Sequence, residues 1–236
     1  MKDPEVKFRH ENKYPISDIE AVVLQERLKG VMSPDIHAGS SGMYNISSLY
    51  FDDLYDSCYY ENENGTDPRE KFRIRTYNNS LDVIRLECKK KRHGKTLKTS
   101  TILSREQVEN ILQGIPLKCD SETDPLLMRF ITLQQSNDLK PKVIVEYKRI
   151  PYVYKMGNVR VTFDSDLTTS HEVKRFLNGN FLKRPILPSG KLLLEVKFDE
   201  FLPDHLYDIM QLNVLTQTAF SKYYLCRRFE LNSVRL

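Results

Sequence analysis

The chain has 236 residues, of which 40% are hydrophobic and 10% aromatic, and this composition indicates a folded globular protein with a sizeable core. Its formal net charge is +4, it has no apolar run of about 18 residues that could span a membrane, and its start lacks the apolar region of a signal peptide. We therefore expect a cytoplasmic protein. The four cysteines are scattered without a C-x-x-C pair, which argues against a zinc site or a disulfide framework.

The first predicted element is a strand, EVKFRHENKY (5–14), in which charged and apolar side chains alternate. A capping box from Ser17 to Glu20 then starts a helix that runs to about Met32. SSLYFDD (47–53) and REKFRIRTYN (69–78) follow as strands. In the latter, Arg73 and Arg75 lie on one face and the apolar Phe72 and Ile74 on the other.

Positive charge is concentrated in the next part of the chain. Segment 69–98 contains eleven Lys and Arg but three acidic residues, and it includes a further strand, VIRLECKKK (83–91). The rest of the chain is slightly acidic. A local basic segment indicates a polyanionic ligand held in one place rather than a globally basic nucleic-acid binder, so no nucleic acid is expected. A solvated lysine-rich hairpin is the alternative, and Lys90, Arg92 and Lys95 fit an exposed turn of this kind.

The remaining elements alternate between helices and charged strands. A second capping box, from Ser104 to Gln107, starts a helix that ends at Gly114, and DPLLMRFITLQQ (124–135) predicts another with Pro125 near its start. KVIVEYKR (142–149), VRVTFDSD (159–166) and KLLLEVKFD (191–199) are strands. The tail is helical after Pro203 and again from about Thr218. No repeat or linker interrupts this order, so we predict one α+β domain over residues 1–236.

At least five of about eight predicted strands have one fully charged face. An antiparallel sheet with one face in water is the ordinary interpretation of such alternation. Here, however, acids and bases mix at i, i+2 spacing on each face. The second interpretation is a closed antiparallel β-barrel with its charged, basic face inward and helices packed on its apolar outer face.

A tunnel of this kind suits phosphate chemistry. Inward arginines match phosphate oxygens bidentately, and Glu195 beside Lys197 is either a structural counter-ion or an oxygen ligand for Mg²⁺ or Mn²⁺. Phosphoryl transfer needs little beyond positioning and charge neutralisation. The sequence has no G-x-x-x-x-G-K-[ST] loop, no H-E-x-x-H spacing and no G-x-S-x-G elbow, which argues against the corresponding classes of site.

The order of eight motifs resembles a known family. HENKY, YFDD, KFRIRTY, LECKKK, VEYKRIPY, RVTFDSDL, LLEVKFD and FSKY occur, over roughly residues 5–230, in the order seen in the VTC domain, the polyphosphate polymerase module of the vacuolar transporter chaperone complex. The resemblance implies a triphosphate-tunnel fold that transfers the γ-phosphate of ATP to a growing polyphosphate chain and releases ADP, with Mn²⁺ or Mg²⁺. The chain resembles a stand-alone, bacterial-type member, for which we expect a separate membrane-protein partner and a peripheral position at the inner face of the membrane.

The resemblance also implies roles for individual residues. The implied catalytic phosphate contacts are Lys13, Arg73, Arg75, Lys89, Arg149 and Arg160. The substrate-binding candidates are Lys98, Lys197, Lys222, Glu11, Glu87 and Glu146, and Glu195 is the implied metal ligand. For the three other glutamates, an interior counter-ion is the alternative role. Asp164 and Asp166 could orient bases or bind metal, and both uses stay open.

Two departures limit these assignments. The wider superfamily carries E-x-E-x-K near its N-terminus, whereas this chain has Arg9 at the first acidic position, which weakens a two-metal hydrolytic function. Strict alternation from Glu146 would turn Lys148 inward rather than Arg149, so either a bulge intervenes or the assignment is wrong by one residue. Three functions stay open: an ATP-dependent polyphosphate polymerase, a tunnel triphosphatase acting on short triphosphates, and a non-catalytic polyanion-binding module.

Overall fold

The molecule is built around one strongly curled antiparallel sheet; the computed structural model describes residues 7–234. Eight long strands lie in the order β1-β10-β8-β7-β3-β4-β5-β6. Their bounds are β1 His10–Ser17, β3 Tyr44–Asp52, β4 Arg69–Tyr77, β5 Ser80–Arg92, β6 Lys95–Leu103, β7 Lys140–Tyr154, β8 Val159–Ser170 and β10 Lys191–Phe198. The short strands β2 (Ser33–Pro34) and β9 (Arg184–Pro185) pair with β7 and β8. Glu5 and Val6 of the first predicted strand lie outside the described residues.

Six helices accompany the sheet, and the predicted starts of three of them are confirmed. The helices are α1 Asp18–Lys29, α2 Ser57–Glu63, α3 Arg105–Gln113, α4 Pro125–Ser136, α5 Asp204–Ile209 and α6 Lys222–Val234. Ser17 and Ser104 form the predicted capping boxes of α1 and α3, and Asp124 caps α4 ahead of Pro125. No helix in the described part of the chain combines the length and apolar character needed to cross a membrane.

The outer, convex face of the sheet is apolar and covered by helices, as the alternation predicts. On one side, Phe72 and Ile74 of β4 pack beneath α3 and α4, with the Phe72 and Phe130 rings 5.6 Å apart. On the other side, α1 and α5 cover β1, β8 and β10, with Leu28 and Leu206 fully buried. Burial of these two surfaces supplies the main driving force for folding.

The concave face is only partly charged, which the strand patterns did not predict. Helix α6 lies inside the curl, where Tyr223 and Cys226 pack against Ile46 of β3 and Val145 of β7. The hydroxyl of Tyr223 donates to buried Asp52, which also accepts the backbone N–H groups at the start of α2. The inside of the sheet is therefore divided between an apolar part filled by α6 and a charged part.

A bulge in β8 changes which side chains of β8 face inward but leaves the alternation of β7 intact. The pairing shifts between Glu146–Thr168 and Lys148–Ser165, and Asp166, within the extra length of β8, has a φ of 53°. Alternation along β7 is unbroken, and it is Arg149 rather than Lys148 that faces the cavity. The expected inward position of Glu146 is wrong because Glu146 lies on the outer face with Lys148.

The two edge strands of the curled sheet meet at one end. Arg9, just before β1, forms a bridge with Thr96 of β6 through two backbone hydrogen bonds of 2.8 Å each. The α+β class, the antiparallel curled sheet and the outer helices are thus confirmed. Closure of the barrel along the whole seam stays a prediction.

Candidate functional site

The charged part of the concave face encloses a cavity of about 700 Å³. Its walls come from β1, β3 to β7 and β10, together with segment 217–223 at the start of α6. The basic residues that line it are Lys7, Arg9, Lys13, Arg69, Lys71, Arg73, Arg75, Lys89, Lys91, Lys98, Arg149, Lys197 and Lys222, whereas Glu11 and Glu195 are the acidic ones. Thirteen cations against two anions in a partly enclosed space create a strongly positive potential, so the cavity suits a polyanion.

Arg73 and Arg75 of β4 are fixed around one buried carboxylate. Arg73 binds Glu87 of β5 through Nε at 2.8 Å and Nη2 at 2.7 Å, and Lys98 lies 2.9 Å from the other Glu87 oxygen. Arg75 lies 3.6 Å from Glu87 and donates to Ser48 Oγ at 3.1 Å. Because Glu87 is fully buried and surrounded by bases, its role is that of a counter-ion that holds the two guanidinium groups in place.

Acidic and basic side chains face each other in cross-strand pairs between β1 and β10. Lys13 lies opposite Glu195 in the register, and Glu11 lies opposite Lys197. The Glu11 carboxylate is 2.8 Å from Lys13 Nζ and also accepts from Lys89 Nζ at 2.7 Å, which links β1 to β5 across the curl. Glu195 lies 2.5 Å from Lys197 Nζ. Lys13, Lys89 and Lys197 are thus each positioned by a carboxylate of β1 or β10.

A third cluster brings together strands β7 and β8 and helix α6. Arg149 donates to both oxygens of buried Asp164, at 2.6 and 2.7 Å, and Lys222 Nζ lies 2.6 Å from the same carboxylate. Lys222 also lies 4.6 Å from the centre of the Tyr147 ring, whose hydroxyl accepts from Arg75 at 3.2 Å. Tyr147 therefore connects this cluster with the one around Glu87.

The buried carboxylates of the site are held ionised. Burial by itself would raise the pKa of Glu11, Glu87, Asp164 and Glu195, but the adjacent ammonium and guanidinium groups outweigh it and hold each pKa below its ordinary value. These groups consequently stay charged throughout the neutral pH range. Asp164, whose role the sequence left open, is the anchor of Arg149 and Lys222, whereas Asp166 pairs with Lys148 in solvent.

Lys71 is a site residue that sequence reasoning missed. Its ammonium lies 5.0 Å from the centre of the Tyr223 ring and donates to Asn62 Oδ1 at 3.1 Å, and among the described residues no carboxylate lies within 4.0 Å of it. Burial, together with nearby Arg69, lowers the pKa of Lys71 to about 8. Its place two residues before Arg73, on the same face of β4, is the sequence signal that could have identified it.

Two predicted site residues do not reach the cavity. Glu146 lies on the outer face, 2.5 Å from Lys183 Nζ. Arg160 is directly opposite Lys197, but its guanidinium lies 2.8 Å from Asp35 Oδ2 and donates to the hydroxyl of Tyr44 at 2.9 Å. The buried carboxylate of Asp35, on a neighbouring loop, thus neutralises Arg160. The other residues assigned from the sequence lie in the cavity wall or, as Glu87 does, directly behind it.

The sequence pattern of the VTC domain family matches residues 8–229 of this chain. The chain belongs to the VTC domain family. The match covers all the strands described above and ends within α6, so it includes every described residue of the cavity wall except Lys7. Among curated proteins, none matches the sequence.

The fold of this VTC domain is similar to that of solved structures at low sequence identity, and one of these similarities exceeds a TM-score of 0.5. HpAC1 from Hippeastrum, described as an adenylyl cyclase candidate with a dominant triphosphatase activity, is 11% identical, with a TM-score of 0.54 over 94% of this chain and 95% of that one. An adenylate cyclase candidate from Bacillus halodurans is 14% identical, with a TM-score of 0.49 over 88% of each chain. PH1819 from Pyrococcus horikoshii OT3 is 15% identical, with a TM-score of 0.48 over 94% and 98%. The first likeness supports the tunnel-type architecture.

Glu195, the metal ligand that the sequence resemblance implies, is a cavity carboxylate suited to a divalent metal. Within residues 7–234, no group of three or more His, Cys, Asp or Glu side chains is arranged to hold a metal ion by itself. Glu195 is buried in the cavity wall, and Lys197 and Lys222 help to hold its pKa well below the ordinary value. An ionised carboxylate suits Mg²⁺ or Mn²⁺, which commonly take their remaining ligands from phosphates and water. The residues present therefore fit a metal that arrives with a phosphate substrate.

Glu87→Gln tests the counter-ion role of the buried carboxylate. We expect a loss of about 3–5 kcal/mol in the free energy of unfolding, because neutralising Glu87 leaves Arg73, Arg75 and Lys98 facing one another. Thermal and urea unfolding measure this loss. Because folding lowers the pKa of Glu87, its contribution is present at neutral pH and is lost as the pH falls below about 4, the ordinary carboxyl range. The difference between variant and wild type should shrink accordingly.

The matched control for that experiment is Glu146→Gln, which removes a carboxylate from the outer face, where its partner Lys183 is partly exposed. It should change stability by less than about 1 kcal/mol. Tripolyphosphate should raise the Tm of Glu87→Gln more than that of the wild type, since a bound anion replaces the missing charge. Equal stability losses in the two variants would contradict the counter-ion role.

Lys71 should make polyanion binding pH-dependent. The free protein releases the Lys71 proton near pH 8, whereas a bound polyanion favours the charged form, so binding above pH 8 must take up a proton. The affinity for long-chain polyphosphate, measured by calorimetry, should fall more steeply between pH 7.5 and 9 for the wild type than for Lys71→Met. Lys148→Met, a lysine substitution on the outer face, should retain the wild-type slope, and a wild-type slope in Lys71→Met would disprove the assignment.

Proposed function

We propose that the chain is an ATP-dependent polyphosphate polymerase that transfers the γ-phosphate of ATP to a growing polyphosphate chain inside the cavity and releases ADP. The observation that carries the proposal is the cavity of thirteen cations within a VTC domain. Buried carboxylates hold most of these cations in position before any substrate binds. Fixed charges of this kind need little reorganisation as charge develops in the transition state, which is the largest source of catalysis in such sites.

The three clusters suit the placement of two phosphate groups against each other. The guanidinium groups of Arg73 and Arg75 are planar forks for phosphate oxygens, and Tyr147 connects them with Arg149 and Lys222. Lys89, on the adjacent strand β5, and Lys13, on β1, extend the positive surface. Holding the γ-phosphate of ATP and the end of the polymer in this field overcomes the repulsion between two anions and aligns them for direct transfer.

The low pKa values of the carboxylates in and behind the cavity wall favour transfer to phosphate over hydrolysis. The terminal oxygen of polyphosphate is already anionic near neutral pH, so its attack needs no general base. Hydrolysis needs water to be deprotonated, yet the pKa values of Glu11, Asp164 and Glu195 are held low by adjacent cations, which makes them weak bases. A triphosphatase is the second candidate, because HpAC1, which shares the fold, is described with that activity.

The proposal includes a divalent metal, Mn²⁺ or Mg²⁺, with Glu195 as its ligand from the protein. When bound, such an ion neutralises phosphate charge as the phosphoryl group moves. Glu195 contacts Lys197 and Arg149 in the wall of the cavity, beside the proposed phosphate contacts. The arrangement thus couples metal binding to substrate binding.

The proposed partners are ATP and polyphosphate rather than nucleic acid. Three tyrosine rings that line the cavity each have a cation over one face, with Arg73 over Tyr50, Lys71 over Tyr223 and Lys222 over Tyr147. They leave no open series of faces for stacked bases. The proposal further includes a fully closed tunnel, a cytoplasmic site of action, and a separate membrane protein that receives the product at the inner face of the membrane.

Incubation of the purified chain with ATP and Mn²⁺ tests the proposed function. We expect ADP and long polyphosphate chains, resolved on a gel. Arg75→Ala should reduce synthesis at least about 100-fold, since it removes a fixed donor to the transferred phosphate, while Glu87 keeps Arg73 and Lys98 as partners.

Lys148→Ala, an exposed lysine on the outer face, is the control and should stay within twofold of the wild type. Release of orthophosphate without polymer would overturn the polymerase in favour of the triphosphatase. Binding of polyphosphate with neither ADP nor orthophosphate formed would instead indicate a non-catalytic polyanion-binding module.

A further inference from the structure

The cations of the cavity fall into two classes. Most lie within 4.0 Å of a carboxylate, as Arg73, Lys89 and Lys222 do. Arg69, Lys71 and Lys91 also line the cavity, but no carboxylate of the described residues lies within that distance of any of them. These three residues, named here the outer row, are neighbours on β4 and β5.

The register makes the outer row electrostatically unfavourable in the ligand-free protein. Arg69 lies directly opposite Lys91, and Lys71 directly opposite Lys89. Like charges in direct cross-strand pairs destabilise a sheet. In accord with this, burial and the charge of nearby Arg69 lower the pKa of Lys91. A sheet that retains such a row needs an anion from elsewhere to balance it.

Two of the acids near the outer row, Asp67 and Asp52, are engaged elsewhere, and a third, Glu61, interacts with Lys71 and Arg69 only from beyond 4.0 Å. Asp67 accepts the backbone N–H groups of His93 and Gly94 at the β5–β6 turn, at 3.1 and 3.2 Å. Asp52 accepts the N–H groups that begin α2 and the hydroxyl of Tyr223. While it makes these bonds, neither carboxylate lies within 4.0 Å of a cation of the outer row.

Neutral groups hold the outer row in position while leaving donors unused. Lys71 Nζ donates to Asn62 Oδ1 at 3.1 Å and lies 3.5 Å from Ser221 Oγ, and Arg69 Nη1 donates to the Thr66 carbonyl at 2.7 Å. A guanidinium has five N–H donors, so most of those of Arg69 remain available. The row is thus preorganised for an anionic ligand.

The outer row continues the inner arginine pair in one line. Arg75, Arg73, Lys71 and Arg69 are alternate residues of β4, and at about 3.3 Å per residue they extend over roughly 20 Å. That length exceeds a triphosphate group, which the inner cluster around Arg73 and Arg75 can accommodate. It matches an extended chain of phosphates that begins at the inner cluster and runs outward along β4 and β5.

We propose that Arg69, Lys71 and Lys91 form a second binding subsite, which takes the internal phosphates of a long polyphosphate chain and selects that chain over triphosphates. The inference rests on the proposed function, since it assigns the acceptor polymer of that reaction to one wall of the cavity. The inner cluster binds the reacting phosphates, and the outer row holds the part of the chain that does not react. This subsite makes affinity depend on chain length.

Binding of two probes, inorganic tripolyphosphate and long-chain polyphosphate, tests the subsite by calorimetry without ATP. Lys71→Met and Lys91→Met should each weaken long-chain polyphosphate by about tenfold, the value of one charged hydrogen bond, and change tripolyphosphate affinity by less than twofold. In the Arg69→Gln, Lys71→Met, Lys91→Met triple variant, the slope of log affinity against log salt should fall by about 2–3 for the long chain.

Lys90→Met is the matched control, because Lys90 is adjacent to Lys91 on β5 but lies on the outer face, 3.9 Å from Glu70. It should bind both probes as the wild type does. The ligand-free triple variant should unfold at the wild-type temperature or above, since it loses like-charge repulsion, and this excludes misfolding as the cause of weaker binding.

Equal loss for both probes, or an unchanged preference for the long chain, would overturn the subsite. The same wild-type preparation is assayed with ATP and Mn²⁺, so the two proposals fail separately. If the wild type makes polymer and the triple variant binds long-chain polyphosphate normally, the subsite alone is refuted. Length-dependent binding that the triple variant abolishes, in a protein that makes no polymer, would refute the polymerase and retain the subsite.

Discussion

The structure depends on ionised carboxylates placed between cations on the inside of a curled sheet. Glu87, Asp164, Glu11 and Glu195 each contact at least two bases, and without them the inward arginines and lysines would repel one another at short range. Burial of an unpaired charge costs several kcal/mol, whereas a paired and hydrogen-bonded charge can be retained. The basic interior is therefore a network of acids and bases with an excess of bases.

This arrangement explains why the apolar face lies outside. A sheet that turns its charged face inward must bury its other face against something, and α1, α3, α4 and α5 supply that cover. Helix α6 has a different role, since it fills the apolar part of the concave face and brings Lys222 to Asp164. The cavity is the part of the concave face that α6 leaves open. The start of α6 contributes Lys222 to its wall.

Local patterns in the sequence predicted much of the fold. Period-two alternation located the long strands apart from β6, which no pattern singled out, and the capping boxes at Ser17 and Ser104 located two helix starts, because each signal depends on residues close in sequence. The paired arginines of β4 identified the inner cluster for the same reason. The side of the sheet to which Phe72 and Ile74 belong was likewise predictable, since they alternate with Arg73 and Arg75.

The errors arose where distant parts of the chain decide the outcome. The face of Glu146 was misassigned because Glu146 shares the outer side of β7 with Lys148, and the register change beside it sits in β8 at Asp166, which no local pattern of β7 reveals. Asp35, more than 120 positions from Arg160 in the chain, removes that arginine from the cavity. The missing carboxylate beside Lys71 is visible only once all neighbouring strands are in place.

The most direct measurement is a crystal structure of the chain with long-chain polyphosphate bound. The basic cavity should contain the polymer, with phosphate oxygens within hydrogen-bond distance of Arg73 and Arg75 at the inner end and of Lys71 and Arg69 toward the outer end. Polyphosphate bound instead along the outer face, at Lys90, Arg92 and Lys95, with the cavity free of phosphate, would contradict the assignment of the cavity as the polyanion site.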